Sequence, residues 1–228
     1  MKLEELKNLK IEITDEMLDR LNAYASFLVE YNEKINLTAI TDYEEIIEKH
    51  FYDSLLMTNH HDIKGTLVDV GTGAGFPGVV LKICLPELKV KLIEPIKKRC
   101  VFLEELINRL GLRDIEVINE RGEDYSLKHR EEYDFVTARA VTNMNGLIEV
   151  CGAMVKVDGY FIALRGKDGY EELNNASKAI KTMGFKEENT FEEHLSDGSV
   201  RVIGYLKKVK KTELKYPRKY SIIKQKPL

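Results

Sequence analysis

The 228-residue sequence has no run of about 18 apolar residues, so it carries no signal for a membrane-spanning helix. Met1 to Lys10 alternates charge with leucine and lacks the apolar centre of a signal peptide, which places the chain in the cytoplasm as an expectation. Cysteine is scarce. Cys84, Cys100 and Cys151 are widely spaced, with no Cys-x-x-Cys pair. That argues against a disulfide framework and against a metal site, and for buried free thiols in a reducing compartment. Asn36-Leu37-Thr38 matches a glycosylation acceptor, which means nothing without a secretion route. There is no internal repeat and no low-complexity linker. Charge of one sign is also missing: 35 Lys and Arg against 38 Asp and Glu give a net charge of −3. At first sight that argues against a nucleic-acid partner, because binding phosphates draws on positive charge.

What is present falls into three parts: a helical extension over 1–60, an α/β core over 61–208, and a basic tail over 209–228. Leu18, Leu21, Ala25, Leu28 and Tyr31 recur at helical spacing after Thr14-Asp15-Glu16, a helix-start signal. Thr41-x-x-Glu44 is a capping-box pattern opening a second helix, with Ile46, Ile47, His50, Phe51 and Leu55 on one face. From Thr66 the pattern changes. Short apolar runs at 66–70, 90–93, 115–118, 135–138 and 160–164 alternate with helical patterns such as Lys97–Leu110. Strands alternating with helices predict a parallel sheet covered on both faces. A helix over Tyr170 to Met183 follows. Phe185–His194 and Val200–Lys208, joined by Ser-Asp-Gly-Ser, read as a hairpin, so the seven-stranded sheet should end antiparallel.

The most informative segment is Asp69-Val70-Gly71-Thr72-Gly73-Ala74-Gly75-Phe76-Pro77-Gly78, between the first strand and a helix. Glycines suit a backbone that turns sharply while a ligand approaches it. Gly73-x-Gly75-x-x-Gly78 fits a dinucleotide fingerprint, but it begins two residues late and contains Pro77, which is better suited to opening a helix. The frame that fits is Asp69-x-Gly71-x-Gly73-x-Gly75. Glu94 then closes the second strand, where a carboxylate can accept ribose hydroxyls. Glu123-Asp124 follows the third. Three acidic strand tips suit the cationic sulfonium of S-adenosylmethionine better than a pyrophosphate. An α/β fold of the Rossmann-like, doubly wound methyltransferase class is the leading expectation, with an NAD-dependent oxidoreductase, a small-molecule methyltransferase and a non-catalytic nucleotide-binding module as alternatives.

Across the whole chain the sequence resembles the bacterial glucose-inhibited division protein B family. The resemblance rests on Tyr31-Asn32-x-x-Ile35-Asn36-Leu37-Thr38, His50-x-x-Asp53-Ser54-Leu55, Asp69–Gly78, Glu94-x-x-x-Lys98-Arg99-x-x-Phe102-Leu103, Arg121-Gly122-Glu123, Val136-Thr137-Ala138-Arg139-Ala140, Tyr216-Pro217-Arg218 and Lys226-Pro227-Leu228. It implies methyl transfer from S-adenosylmethionine to N7 of a guanosine in 16S small-subunit ribosomal RNA. It also implies that Gly71 and Phe76 line the cofactor, that Gly122 and Glu123 meet its adenine, and that Arg139 is a cofactor residue near the transfer centre; Asp69, Gly73, Gly75 and Glu94 complete the cofactor-binding candidates. Two positions depart from the family's pattern. Gly122 stands where Ala or Val is usual, a change that a backbone contact survives, and Tyr31 stands where many members have Trp.

Guanine N7 carries a free lone pair, so the implied chemistry is positioning rather than base catalysis. Arg139 is the candidate positioning residue, through guanine O6 or a phosphate, since a contact to N7 would block the attacking atom. The alternative for Arg139 is a salt bridge to Asp134 or Glu123. His50 and Asp53, one turn apart, read as a packed or capping pair, and His60-His61 as loop. Lys97, Lys98, Arg165, Lys167, Lys215, Arg218 and Lys219 are RNA-binding candidates. The net charge conceals a polarity. Residues 1–60 hold six basic and thirteen acidic side chains, whereas 207–228 hold nine basic and one acidic. A basic strip on a monomer that binds ribosomal RNA or the small subunit is therefore expected, with a strong dependence on salt.

Overall fold

Thr66–Val70 forms β1, an inner strand of the sheet, and its residues alternate between the two faces. Leu67 joins one apolar core, while Val68 and Val70 join the other. The computed structural model describes residues 1–139 and 143–228. Within them the strands are β1, β2 (Lys89–Ile93), β3 (Ile115–Ile118), β4 (Tyr133–Arg139), β5 (Val155–Arg165), β6 (Phe185–His194) and β7 (Val200–Lys208). They form one seven-stranded sheet in the order β3-β2-β1-β4-β5-β7-β6. The first five strands pair in parallel, and β7 runs antiparallel to both β5 and β6. The doubly wound sheet with a terminal hairpin is thus as expected. The strand order reverses between β1 and β4, and in open α/β sheets ligands bind outside the strand ends at such a point.

One face of the sheet is covered by α1 (Asp15–Asn32), a broken helical run over 43–59, α4 (Gly78–Cys84) and α5 (Lys97–Arg109). The broken run comprises α2 (Tyr43–Ile46), a π-helical turn (Ile47–Tyr52), α3 (Asp53–Leu55) and a 3-10 turn (Leu56–Asn59). Its cap is Asp42, whose carboxylate accepts from the Glu45 N–H at 3.0 Å, one residue beyond the expected Thr41. The helical extension is therefore one wall of the core. Phe27 stacks on Phe102 of α5, and Tyr24 stacks on Phe76 of the glycine loop.

The opposite face is covered by α6 (Gly122–Lys128), α7 (Met144–Gly152), α8 (Gly169–Asn175), α9 (Ser177–Thr182) and α10 (Tyr220–Gln225). The single helix expected over 170–183 is two, separated at Ala176. The basic tail is folded onto this face. Thr212 is buried, and Ile223 of α10 is only 2% exposed within the second core. Lys208, one of the nine cations over 207–228, is fully buried. It donates to the Met183 carbonyl at 2.8 Å and to the Gly152 carbonyl and Thr212 hydroxyl, and its burial pushes the amine down to about 7. It cannot meet a phosphate.

Candidate cofactor and substrate site

Gly71, Gly73 and Gly75 all have positive φ (70°, 61° and 102°), so the chain coils tightly as it leaves β1. A Cβ on Gly75 would lie 2.7 Å from the Tyr24 hydroxyl and 2.7 Å from Val79. The turn is braced from both sides. Asp69 Oδ2 accepts from the Gly78 N–H at 2.9 Å and the Thr72 hydroxyl at 2.6 Å. Glu94 Oε2 accepts from the Gly73 N–H at 3.0 Å, and Oε1 accepts from the Ile96 N–H at 2.8 Å.

Beside this loop lies a cavity of about 340 Å³ lined by Val70, Gly71, Glu94, Arg99, Gly122 and Glu123, among others. Gly71, Glu94, Gly122 and Glu123 meet there as expected. Glu94 is 1% exposed. Its two oxygens each hold one backbone N–H and keep lone pairs for further donors, as a ribose diol would supply. These features fit an adenosine-bearing cofactor. Asp69 does not meet the ligand-facing expectation. Strand alternation turns it to the α1 side, away from Val70, and it lines neither this cavity nor the larger one next to it. Burial pushes its carboxyl up to about 6, while Thr72 and Gly78 oppose the shift. Gly73, Gly75 and Phe76 also lie outside the lining; they shape and support the loop. Asp124 is exposed.

Gly122 is required for its size. A Cβ there would stand 2.7 Å from Val70 Cγ1 and 2.9 Å from Val150 Cγ1, and both valines line the cavity. A larger residue at 122 must displace them, so the departure from Ala or Val is not neutral in this chain. Gly122→Ala is expected to cost about 1–3 kcal/mol in urea unfolding, the scale of overpacking. It should also weaken S-adenosylhomocysteine binding, because both displaced valines line that cavity.

The second cavity, about 610 Å³, lies across Arg139 and is lined by Lys49, His50, Asp53, Arg165, Lys167 and Arg201, among others. Arg139 ends β4 and is the one residue common to both linings among the described residues. Ala140 of the motif that contains it lies outside the described residues. The partner of Arg139 is neither Asp134 nor Glu123. Nη1 donates to Asp53 Oδ2 at 3.3 Å and to the Lys49 carbonyl at 3.4 Å, and the guanidinium lies 5.1 Å over the Phe76 ring. Asp53 Oδ1 accepts from Arg201 Nε at 2.8 Å, so one carboxylate fixes two arginines. Burial pushes the Asp53 carboxyl up, and Arg139 and Arg201 pull it back.

His50 and Asp53 are therefore more than a packed pair. Arg139 Nη2 lies 3.3 Å from His50 Nδ1. Arginine can only donate, so Nδ1 accepts and the ring proton sits on Nε2, which donates to Thr38 Oγ1 at 2.9 Å. Asn32 in turn fixes Thr38: Oδ1 accepts from the Leu37 and Thr38 N–H groups, and Nδ2 donates to the Thr38 carbonyl. A chain of contacts thus runs from Asn32 through Thr38 and His50 to Arg139. Burial, then the Arg139 charge, pushes His50 down to about 3. Its imidazole is expected to stay neutral from about pH 5 to 8, in the Nε2–H form, by nitrogen-15 NMR; a titration near the ordinary histidine value would contradict this geometry.

The RNA-binding candidates divide. Arg165 and Lys167 line the larger cavity, where Arg165 Nε donates to Glu172 at 2.6 Å. Lys97 and Lys98 are exposed on the first turn of α5, and Lys219 is exposed ahead of α10. Lys215 is exposed and pairs with Glu213 at 2.8 Å. Arg218 is a correction. Its Nε and Nη2 grip the fully buried Glu149 at 2.7 and 2.6 Å, which commits the guanidinium to the fold. Sequence reasoning missed Arg201, Lys49 and Tyr220 as lining residues. The spacing His50-x-x-Asp53 was the available signal for the cluster around Arg139.

The model of a family described as GidB, rRNA small subunit methyltransferase G, matches residues 17–201. A Lysinibacillus sphaericus protein named ribosomal RNA small subunit methyltransferase G is 40% identical over 99% of this chain and 97% of its own length. A Listeria monocytogenes protein of the same name is 44% identical over 92% of this chain and 90% of its own length. Among solved structures, a SAM dependent methyltransferase from Aquifex aeolicus superimposes with a TM-score of 0.55 at 18% identity, covering 78% of this chain and 98% of that one. That likeness speaks to the fold. With the family model spanning most of the sequence and relatives covering nearly all of it, the chain belongs to the GidB family of rRNA small subunit methyltransferases.

Proposed function

We propose that the chain transfers the methyl group of S-adenosylmethionine to N7 of a guanine in 16S ribosomal RNA. The carrying observation is that Arg139 stands between two cavities of different character. The smaller would hold the cofactor through Gly71, Glu94, Gly122 and Glu123. When bound, S-adenosylmethionine supplies an electrophilic methyl on a sulfonium. The larger gathers Lys49, Arg139, Arg165, Lys167 and Arg201 and is of a size to admit a nucleotide. Arg139 would hold guanine O6 or a neighbouring phosphate and leave N7 free. The neutral lone pair of N7 needs no base, and His50, committed to Thr38 and Arg139, offers none. No described helix is long and apolar enough to cross a membrane. The three buried free thiols suit a reducing compartment such as the cytoplasm.

The test is transfer of tritiated methyl groups from S-adenosylmethionine to 16S RNA, and to small subunits, from cells lacking this enzyme. Label recovered as 7-methylguanosine is the expected result. Label on another atom, or on no RNA at all, overturns the proposal.

A further inference from the structure

After β7 the chain returns across α7 and is tied down on both sides of residue 220. Arg130 donates to the carbonyls of Tyr216 at 2.6 Å, Thr212 at 2.9 Å and Glu213 at 3.3 Å. Arg218 grips Glu149 of α7, and Ile223 is buried in the core that α7 helps to form. Between these anchors the half-buried Tyr220 enters the wall of the smaller cavity, alongside Leu147 and Val150 of α7 and the Arg121-Gly122-Glu123 turn. The Arg121 guanidinium lies 5.6 Å from the centre of its ring.

We propose that Tyr220 is a cofactor-binding residue whose ring packs against the purine at the Gly122–Glu123 end of the cavity. The inference rests on reading that cavity as the S-adenosylmethionine site. A flat ring in the wall of the cavity, with Leu147 and Val150 in the same wall, matches a purine face, which is weakly hydrated and gains from aromatic contact. The anchors hold the backbone on both sides of Tyr220 before any ligand arrives, so little main-chain freedom is lost on binding. The returning segment would thereby serve the cofactor, and not only RNA, despite its basic composition.

The test is calorimetric binding of S-adenosylhomocysteine, and of 5′-methylthioadenosine, which keeps the adenosine and drops the amino-acid end. Tyr220→Phe is expected to match the parent chain for both ligands. Tyr220→Leu and Tyr220→Ala are expected to weaken both by roughly tenfold, the scale of aromatic stacking on a base. Loss confined to S-adenosylhomocysteine overturns the proposal, as does unchanged affinity in the Leu and Ala variants. A parent chain that binds neither ligand overturns the cofactor reading itself, and this inference with it.

Discussion

Arg139→Ala is expected to lower the rate of methyl transfer by about 100-fold or more, while S-adenosylhomocysteine affinity falls far less. The reasoning is geometric. A misplacement of about 1 Å between reacting groups can cost on the order of 100-fold where catalysis is positioning. Arg139 faces the larger cavity with its orientation set by Asp53, His50 and the Lys49 carbonyl. The cofactor cavity keeps Gly71, Glu94, Gly122 and Glu123 in the variant, so binding there should largely survive. The substitution also removes one of the two cations facing the buried Asp53, which should lower stability. Arg139→Lys separates the two effects. It restores a charge beside Asp53 but not the planar fork, so it should recover stability and leave transfer slow. Full activity in either variant would sink the positioning role.

The sheet and the glycine loop were legible in the sequence because their signals are contiguous. β1 to β4 are short strands built on apolar runs, β5 extends the expected run at 160–164 back to Val155, and the loop concentrates positive φ at glycines two residues apart. Glu94 was legible for the same reason, since it closes β2 in register with the loop. The environment of Arg139 was not. Asp53 and His50 lie 86 and 89 positions away from it, and only folding the helical extension against the end of β4 brings them together. Asp69 shows a subtler limit. Its place at a strand tip was readable, but which face it occupies depended on the parity of β1. The tail shows how composition misleads: nine cations suggested one surface, yet Lys208 and Arg218 point into the fold, and buried partners decide where a cation goes.

Removing the Arg218 side chain should produce a large loss of stability. Glu149 on α7 is fully buried, and both its oxygens are met by Arg218: Oε1 by Nε at 2.7 Å and by the backbone N–H at 3.0 Å, Oε2 by Nη2 at 2.6 Å. Such a two-pronged pair is geometrically specific. Its net worth against apolar residues of similar volume is small, but breaking one side leaves a buried charge without compensation, at about 3–5 kcal/mol. Arg218→Ala is therefore expected to lose about that much in urea unfolding, whereas a solvated cation such as Lys219 replaced by Ala should change stability by less than about 0.5 kcal/mol. Glu149→Leu combined with Arg218→Leu should recover most of the loss, since no orphaned charge remains. If Arg218→Ala behaves like Lys219→Ala, the guanidinium is not committed to α7. Arg218 would then return to the surface as a candidate phosphate ligand, and the anchoring of Tyr220 would have to rest on Ile223 and Arg130.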